Sequence, residues 1–253
     1  MDDKWRFYRE EKKGDSPIFK ISRRIYIILG IIIAVTIGAF IGIIMGSMKE
    51  IPSISSLKEY KPNLSTRIYD MNNELITQIY VEQRTLVPLA KVPAILQKGI
   101  VASEDDRFYN HWGIDLHGIM RATLINILHR KVVEGGSTIT QQLARNLFLT
   151  QQRTFSRKIK EALLAIKIEY YYTKKEILEM YLNQIYFGSG AYGVESASRV
   201  YFGKHVEELN LSECAMLIAL PRAPNDYSPY KNPEKALNRR NAILNRLASR
   251  AVI

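Results

Sequence analysis

A single cysteine, Cys214, leaves the 253-residue chain without a partner for an intramolecular disulfide. Its apolar neighbours Ala215, Met216, Leu217 and Ile218 predict a buried thiol, not a nucleophile. The four histidines (His111, His117, His129, His205) lack zinc-ligand spacing. There is no D-x-D string of the kind metal-dependent nucleotide-sugar transferases use. Ser55-x-x-Lys58 has the form of a serine–lysine acylation motif, but no K-T-G follows, so the match is coincidental. No internal repeat or low-complexity segment occurs. Acids are scarce, 25 against 36 Lys and Arg, and the net charge of +11 calls for an anionic partner: nucleic acid, lipid headgroups or a phosphorylated substrate.

Charge is also missing from Ile25 to Met48, which is mostly Ile, Val, Leu, Gly and Ala. At about 1.5 Å per residue this run reaches roughly 36 Å, enough to cross a hydrocarbon core of about 30 Å as a transmembrane helix. It is too long for a cleavable signal, and no A-x-A-like site follows. Residues 1–24 carry eight Lys/Arg against five Asp/Glu. That basic flank predicts a cytoplasmic tail, with everything after about residue 50 on the outer face of the membrane. This topology argues against nucleic acid as the partner. Gly30, Ala34, Gly38, Gly42 and Gly46 form a small-residue stripe. It reads either as a docking face for another transmembrane helix or as the ordinary glycine content of membrane helices.

Residues 49–63, with Pro52 and Pro62, read as a linker, and residues 64–253 as one soluble domain. From Thr66 to Pro88, β-branched and aromatic residues surround Asn72–Asn73, which predicts a small β-hairpin or three-strand ribbon. Beyond Pro93 the periodicity is helical, over roughly 94–105, 115–130, 137–147, 156–172, 174–184, 190–201, 210–219 and 233–248. Thr173, Asn210 or Ser212, and Asn232–Pro233 are the expected helix starts. The fold class is therefore mainly α with a minor N-terminal β element.

Two stretches carry chemistry. Between Glu134 and Glu161 there is no acid, while Ser137, Thr138, Thr140, Gln141, Gln142, Arg145, Arg153, Arg157, Lys158 and Lys160 supply donors. Such a run reads either as a solvated basic helix or as a bed for phosphate or pyrophosphate. On a helix, Arg157 and Lys158 share a face with Glu161, four and three residues on. The second stretch is Glu104-Asp105-Asp106. Three adjacent carboxylates repel one another, which suits either an acidic helix end or a general base.

Glu104–Asp105 with Phe108, His111 and Gly113 resembles the first motif of the peptidoglycan glycosyltransferases, the family of the monofunctional enzymes and the N-terminal domain of class A penicillin-binding proteins. Residues 135–146 (GGSTITQQLARN) resemble its second motif and 157–161 (RKIKE) its third. Lys175 to Gly188 resembles the fourth, and Arg239-Arg240-Asn241-x-Ile243-Leu244 the fifth. Position 145, often Lys in the family, is Arg, which keeps the charge but alters the hydrogen-bond geometry.

The resemblance implies a lysozyme-like helical domain that polymerises lipid II into glycan strands. It implies Glu104 as general base and Glu161 as a second carboxylate that orients substrate or steadies charge. Arg145, Arg153, Arg157 and Lys158 would hold the pyrophosphate, and Ser137, Gln141, Gln142 and Asn183 would line the cleft, with Asp105, Thr138 and Lys160 also binding substrate. No cofactor is required by the sequence. A divalent cation, Mg or Mn, near Glu104 and Asp105 or on the pyrophosphate is compatible with the oxygen ligands there. Gly188-Ser189-Gly190-Ala191-Tyr192-Gly193 follows a predicted helix, which argues against a dinucleotide site and predicts a loop closing the cleft. His111 is expected to pack or hydrogen-bond beside Glu104. The chain stops just past the fifth motif. The expectation is a truncated bifunctional enzyme or a monofunctional one. The competing readings are a lytic or hydrolytic glycan-cleaving enzyme on the same scaffold, and a membrane-tethered scaffold protein.

Overall fold

Every helix start that the sequence marks with a hydroxyl, amide or proline is used. The structure, a computed structural model, describes residues 23–49, 66–72, 75–79, 83–149 and 154–250. The expected linker and nearly all of the expected cytoplasmic tail lie outside these, as do Asn73 and Arg153. The described residues fall into two units divided after Gly46.

The described part of the first unit is helix α1 (Arg23–Lys49) up to Gly46. Its segment Ile25–Ser47, 23 residues of mean hydropathy 2.9, is long and apolar enough to cross a membrane. A Cβ placed on Gly30, Gly38, Gly42 or Gly46 would meet nothing within 4 Å.

The second unit begins with a hairpin, β1 (Thr66–Tyr69) paired antiparallel to β2 (Leu75–Ile79). Of the two forms expected from the sequence, this is the hairpin. Strand β3 (Gln83–Arg84) leaves the hairpin and pairs in parallel with β5 (Ala191–Tyr192), which is antiparallel to β4 (Tyr186–Gly188). The helices are α2 (Ala94–Glu104), α3 (Leu116–His129), α4 (Ile139–Phe148), α5 (Phe155–Tyr171), α6 (Lys174–Gln184), α7 (Val194–Phe202), α8 (Leu211–Ala219) and α9 (Pro233–Ser249). Thr138, Thr173 and Asn210 each close a capping box, with Gln141, Glu176 and Glu213 three residues on. These reciprocal bonds satisfy amide groups that a helix start leaves open. Asn232 precedes Pro233 at the first turn of α9, where proline's missing N–H is harmless.

The helix predicted over 190–201 starts four residues late. Gly188, Ser189, Gly190 and Gly193 all have positive φ, so the chain turns between β4 and β5 before α7 can begin. At Gly193 (φ 82°) an added Cβ would stand 2.8 Å from the backbone carbonyl oxygen of Asn183. The glycine-rich string is thus a β-turn between two short strands and does not line the cavity described below.

Helix α4 packs against both α5 and α6, while α2 packs on α8, and α8 on α9. One apolar cluster joins them, including Leu96, Ile100, Phe108, Leu143, Ile168, Leu178, Phe187, Leu217 and Leu247. A Cβ on Gly99 would run into Ile218, so glycine there lets α2 and α8 approach closely. Cys214 is buried, its thiol pushed up to about 11 by desolvation and by Glu213, which makes it an inert core residue as expected.

Buried Glu195 ties α7 to the following turn. Its Oε1 accepts from Arg199 Nε at 2.7 Å and His205 Nδ1 at 2.9 Å, and its Oε2 from the Val206 N–H at 2.9 Å. Burial alone pushes this carboxyl up, but the Val206 N–H, Arg199 and His205 outweigh it and hold it below the usual range. A depressed carboxylate stabilises the fold above its unfolded pKa, and that stability is lost as pH falls through the folded value. Glu195→Gln is expected to cost about 1–3 kcal/mol near neutral pH, read by urea denaturation, with the gap from the parent narrowing below about pH 4.

Candidate active site

The three consecutive acids do not share one environment. Each is turned to a different partner, which removes the repulsion expected among them. Glu104 closes α2, and its Oε2 accepts the Gln142 Nε2 amide at 3.0 Å. Asp105 is buried. Its Oδ2 accepts the Ile139 N–H at the start of α4, and His111 Nε2 lies 3.0 Å from both carboxylate oxygens. Asp106 faces Arg121 at 3.4 Å and Arg250 at 3.2 Å. His111 therefore bonds beside Glu104, as expected, but to the neighbouring aspartate.

His111 is fixed in turn. Its carbonyl oxygen accepts from Lys174 Nζ at 2.7 Å, and the same ammonium pairs with Glu169 at 2.7 Å and lies over the Phe108 ring at 4.5 Å. Thr140 donates to Glu169 at 2.6 Å. The turn after Glu104 is thus clamped onto α4, α5 and α6. Gln142 is oriented from its far end, where the Tyr181 hydroxyl donates to Oε1 at 3.3 Å. Tyr181 is fully buried. Desolvation, and then the Glu104 charge, hold its phenol well above the ordinary range, so it stays a donor. A backed amide thereby points its NH₂ at Glu104 and leaves the other carboxylate oxygen open.

Glu104 opens into a cavity of about 330 Å³. Asp105, Asp106, Asp115 and Glu134 line it with Glu104, alongside Arg121, Arg145, Arg222, Arg239 and Arg246. Ser137, Thr138 and Gln142, from the predicted set, also reach it. Four of the cations differ from the rest: among the described residues, Arg145, Arg222, Arg239 and Arg246 form no ion pair with a carboxylate. The last three were not assigned a role from sequence. The available signals were the place of Arg239 in the fifth motif and its seven-residue spacing from Arg246, which puts both on one face of α9.

Other predicted residues lie elsewhere. Glu161 is 1% exposed and sits beside the cavity without lining it. As helical spacing implied, Arg157 Nη1 is 3.1 Å and Lys158 Nζ 2.8 Å from its carboxylate. Lys158 also donates to Ser137 Oγ at 2.7 Å, and this contact connects Glu161 to the cavity rim. Gln141 is consumed by the capping box of α4. Buried Asn183 bonds Val87 N–H and C=O at 2.9 Å and so acts as a strut under residues 85–88. Neither Gln141, Asn183 nor Lys160 lines the cavity.

Among the described residues, no group of three or more His, Cys, Asp or Glu is arranged to hold a metal. Both oxygens of Asp105 are already engaged. His111→Phe removes a donor from a buried carboxylate and is expected to cost about 1–3 kcal/mol of unfolding free energy in urea. Asp106→Ala, whose partners are partly exposed, should cost under about 1 kcal/mol.

Residues 72–248 match the family model described as Transglycosylase. Penicillin-binding protein 1A of Aquifex aeolicus (strain VF5) is 50% identical over 226 residues, covering 89% of this chain and 31% of its own. Penicillin-binding protein 1A of Neisseria gonorrhoeae is 43% identical over 210 residues, 83% of this chain and 26% of its own. A crystal structure of Penicillin-Binding Protein 1A from Haemophilus influenzae aligns at TM-score 0.42 and 24% identity over 77% of this chain and 19% of that one. The chain spans less than a third of the length of these curated relatives. It belongs to the transglycosylase family and contains a peptidoglycan glycosyltransferase domain of the kind found in class A penicillin-binding proteins.

Proposed function

We propose that this chain is a membrane-anchored enzyme that polymerises lipid II into glycan strands. The observation that carries the reading is Glu104, held by Gln142 with one oxygen open, in a cavity that also contains arginines without carboxylate partners. The open Glu104 oxygen takes the proton from the 4-hydroxyl of the acceptor's GlcNAc. The deprotonated O4 of the acceptor attacks the anomeric carbon of the donor's MurNAc, and the bond to undecaprenyl pyrophosphate breaks with inversion from α to β. The departing diphosphate keeps the bonding electrons and is received by fixed positive charge. Donors aimed at developing charge lower the barrier without reorganising; losing one typically costs about 10²–10³ in rate.

Of the cations expected to hold the leaving group, Arg145 is the described one that lines the cavity. Arg157 and Lys158 are engaged by Glu161, so their first task is to keep that buried carboxylate paired. Glu161 in turn positions Lys158 against Ser137 at the rim. A divalent ion, Mg or Mn, would find the open Glu104 oxygen and the diphosphate oxygens as ligands, since Asp105 is engaged by His111 and Ile139.

Membrane attachment draws support from two features. Helix α1 has the length and hydropathy to span a bilayer, with the basic tail inside. Helix α3 leaves Leu116, Met120, Leu124, Ile127 and Leu128 exposed, and Val132 follows at 89%. An exposed apolar patch of this kind suits a lipid surface. The same helix supplies Gly118 and Arg121 to the cavity, so a substrate could react there with its lipid tail still in the bilayer. Hydrolysis of finished glycan fits less well, because it needs a protonated carboxyl in an apolar pocket and no diphosphate bed.

Glu104→Gln is expected to lower lipid II polymerisation by at least about 10²-fold, measured by product sizing with labelled lipid II, while the thermal midpoint stays unchanged. Retained polymerisation would overturn the assignment of the base.

A further inference from the structure

We infer that the corner at the end of α3, where Arg130 and Lys131 stand beside the exposed apolar stripe, binds the headgroups of anionic phospholipids. The domain would then dock on a negatively charged bilayer in preference to a zwitterionic one. The inference rests on the reading above that α1 anchors the chain and that α3 faces lipid.

Helix α3 is turned inside out for a helix in water. Its buried residues are Gly118 and Ala122, and Arg121 is drawn toward Asp106 and Glu134. Leu116, Met120, Leu124 and Leu128, four residues apart, and Ile127 beside them are 63–79% exposed. No Asp or Glu occurs between Asp115 and Glu134. Arg130 and Lys131 are exposed, and neither pairs with a carboxylate among the described residues. An apolar face free of acids and ending in cations suits a helix lying in a membrane interface. A zwitterionic surface or an apolar protein partner would cover the stripe and leave the two cations unmatched. Anionic headgroups satisfy both.

The backbone gives a second reason. Arg130 lies in the left-handed region (φ 50°, ψ 27°), where the residue that closes a helix is usually glycine or asparagine. A Cβ is strained there, and a strained residue kept at an exposed turn points to a use for its side chain. The turn is also held firmly. Asn126 Oδ1 accepts the Val133 and Glu134 N–H groups at 2.7 and 3.0 Å, and its Nδ2 donates to the Glu134 carbonyl at 2.9 Å. Val132, which follows the two cations, lines the cavity that contains Glu104. Headgroups bound at this corner would therefore bring the cavity's edge to the bilayer.

The test reconstitutes the full chain into nanodiscs of phosphatidylcholine alone or mixed with phosphatidylglycerol. An environment-sensitive fluorophore is attached through Leu128→Cys, since Cys214 is buried with its thiol pushed up to about 11 and stays unlabelled. Emission shift and quenching by brominated acyl chains give the docked-to-free ratio. Docking is expected to be stronger in the phosphatidylglycerol discs. There the Arg130→Gly/Lys131→Gln double variant is expected to lower the ratio about tenfold or more, each cation near an anionic surface being worth roughly fivefold. Neither residue lines the cavity, and glycine relieves the left-handed strain, so the thermal midpoint should hold or rise.

Equal docking in both kinds of disc, or an unchanged ratio in the double variant, would overturn the inference. So would a chain that co-purifies with the discs while its fluorophore stays in water, which would give the apolar face to a protein partner. A chain that co-purifies with neither disc would overturn the anchor reading and the inference together. Charge-dependent docking by a parent that does not polymerise lipid II would keep the inference and overturn the functional reading instead.

Discussion

The contact between Asp105, His111 and the Ile139 N–H is the joint on which the site depends. It fastens the end of α2 to the beginning of α4, so that Glu104 and Gln142, on the two sides of the joint, meet at 3.0 Å. A buried carboxylate at a helix N-terminus accepts an otherwise open amide and faces the positive end of the helix. Removing either partner would free the turn carrying Glu104. The cluster of Lys174, Glu169 and Thr140 holds the same turn from outside. The position of Glu104, the proposed base, is thus set by a chain of buried polar contacts running through α4, α5 and α6.

Charge in the domain is sorted by whether it is already matched. Asp106 and Glu134 have Arg121, Asp106 also has Arg250, and Glu161 has Arg157 and Lys158. What remains in the cavity is a set of arginines facing an oriented Glu104. Unmatched cations in a partly desolvated pocket are costly unless a ligand completes them. In the proposed transfer, polyanionic substrate and proton acceptor would therefore share one space.

Much of this was legible in the sequence, for physical reasons that differ by residue. The helix starts at Thr173, Asn210 and Pro233 were readable because capping and proline effects are local. The shared face of Arg157, Lys158 and Glu161 followed from helical spacing alone. The late start of α7 was missed because alternation and helix periodicity both fit residues 186–201, and only the positive φ values at Gly188, Ser189, Gly190 and Gly193 decide between them. Gln141 and Asn183 were read as cleft residues, but each is used to satisfy buried backbone groups, a demand that a motif does not reveal. Arg145 was expected from the resemblance and Arg239 stood in its fifth motif, but their grouping with Arg222 around one cavity was hidden for a different reason. Arg145, Arg222 and Arg239 are far apart in the chain and are brought together by the packing of α8 on α9 and by the cavity between that pair and α4.

The central claim is that the open oxygen of Glu104 receives the acceptor's proton while arginines hold the diphosphate. The most direct test is a crystal structure of the chain with a non-reactive lipid II analogue. The account predicts the acceptor's O4 within about 2.6–3.2 Å of Glu104 and phosphate oxygens on the cavity arginines. An analogue bound with its sugars remote from Glu104, or its diphosphate facing solvent, would contradict it.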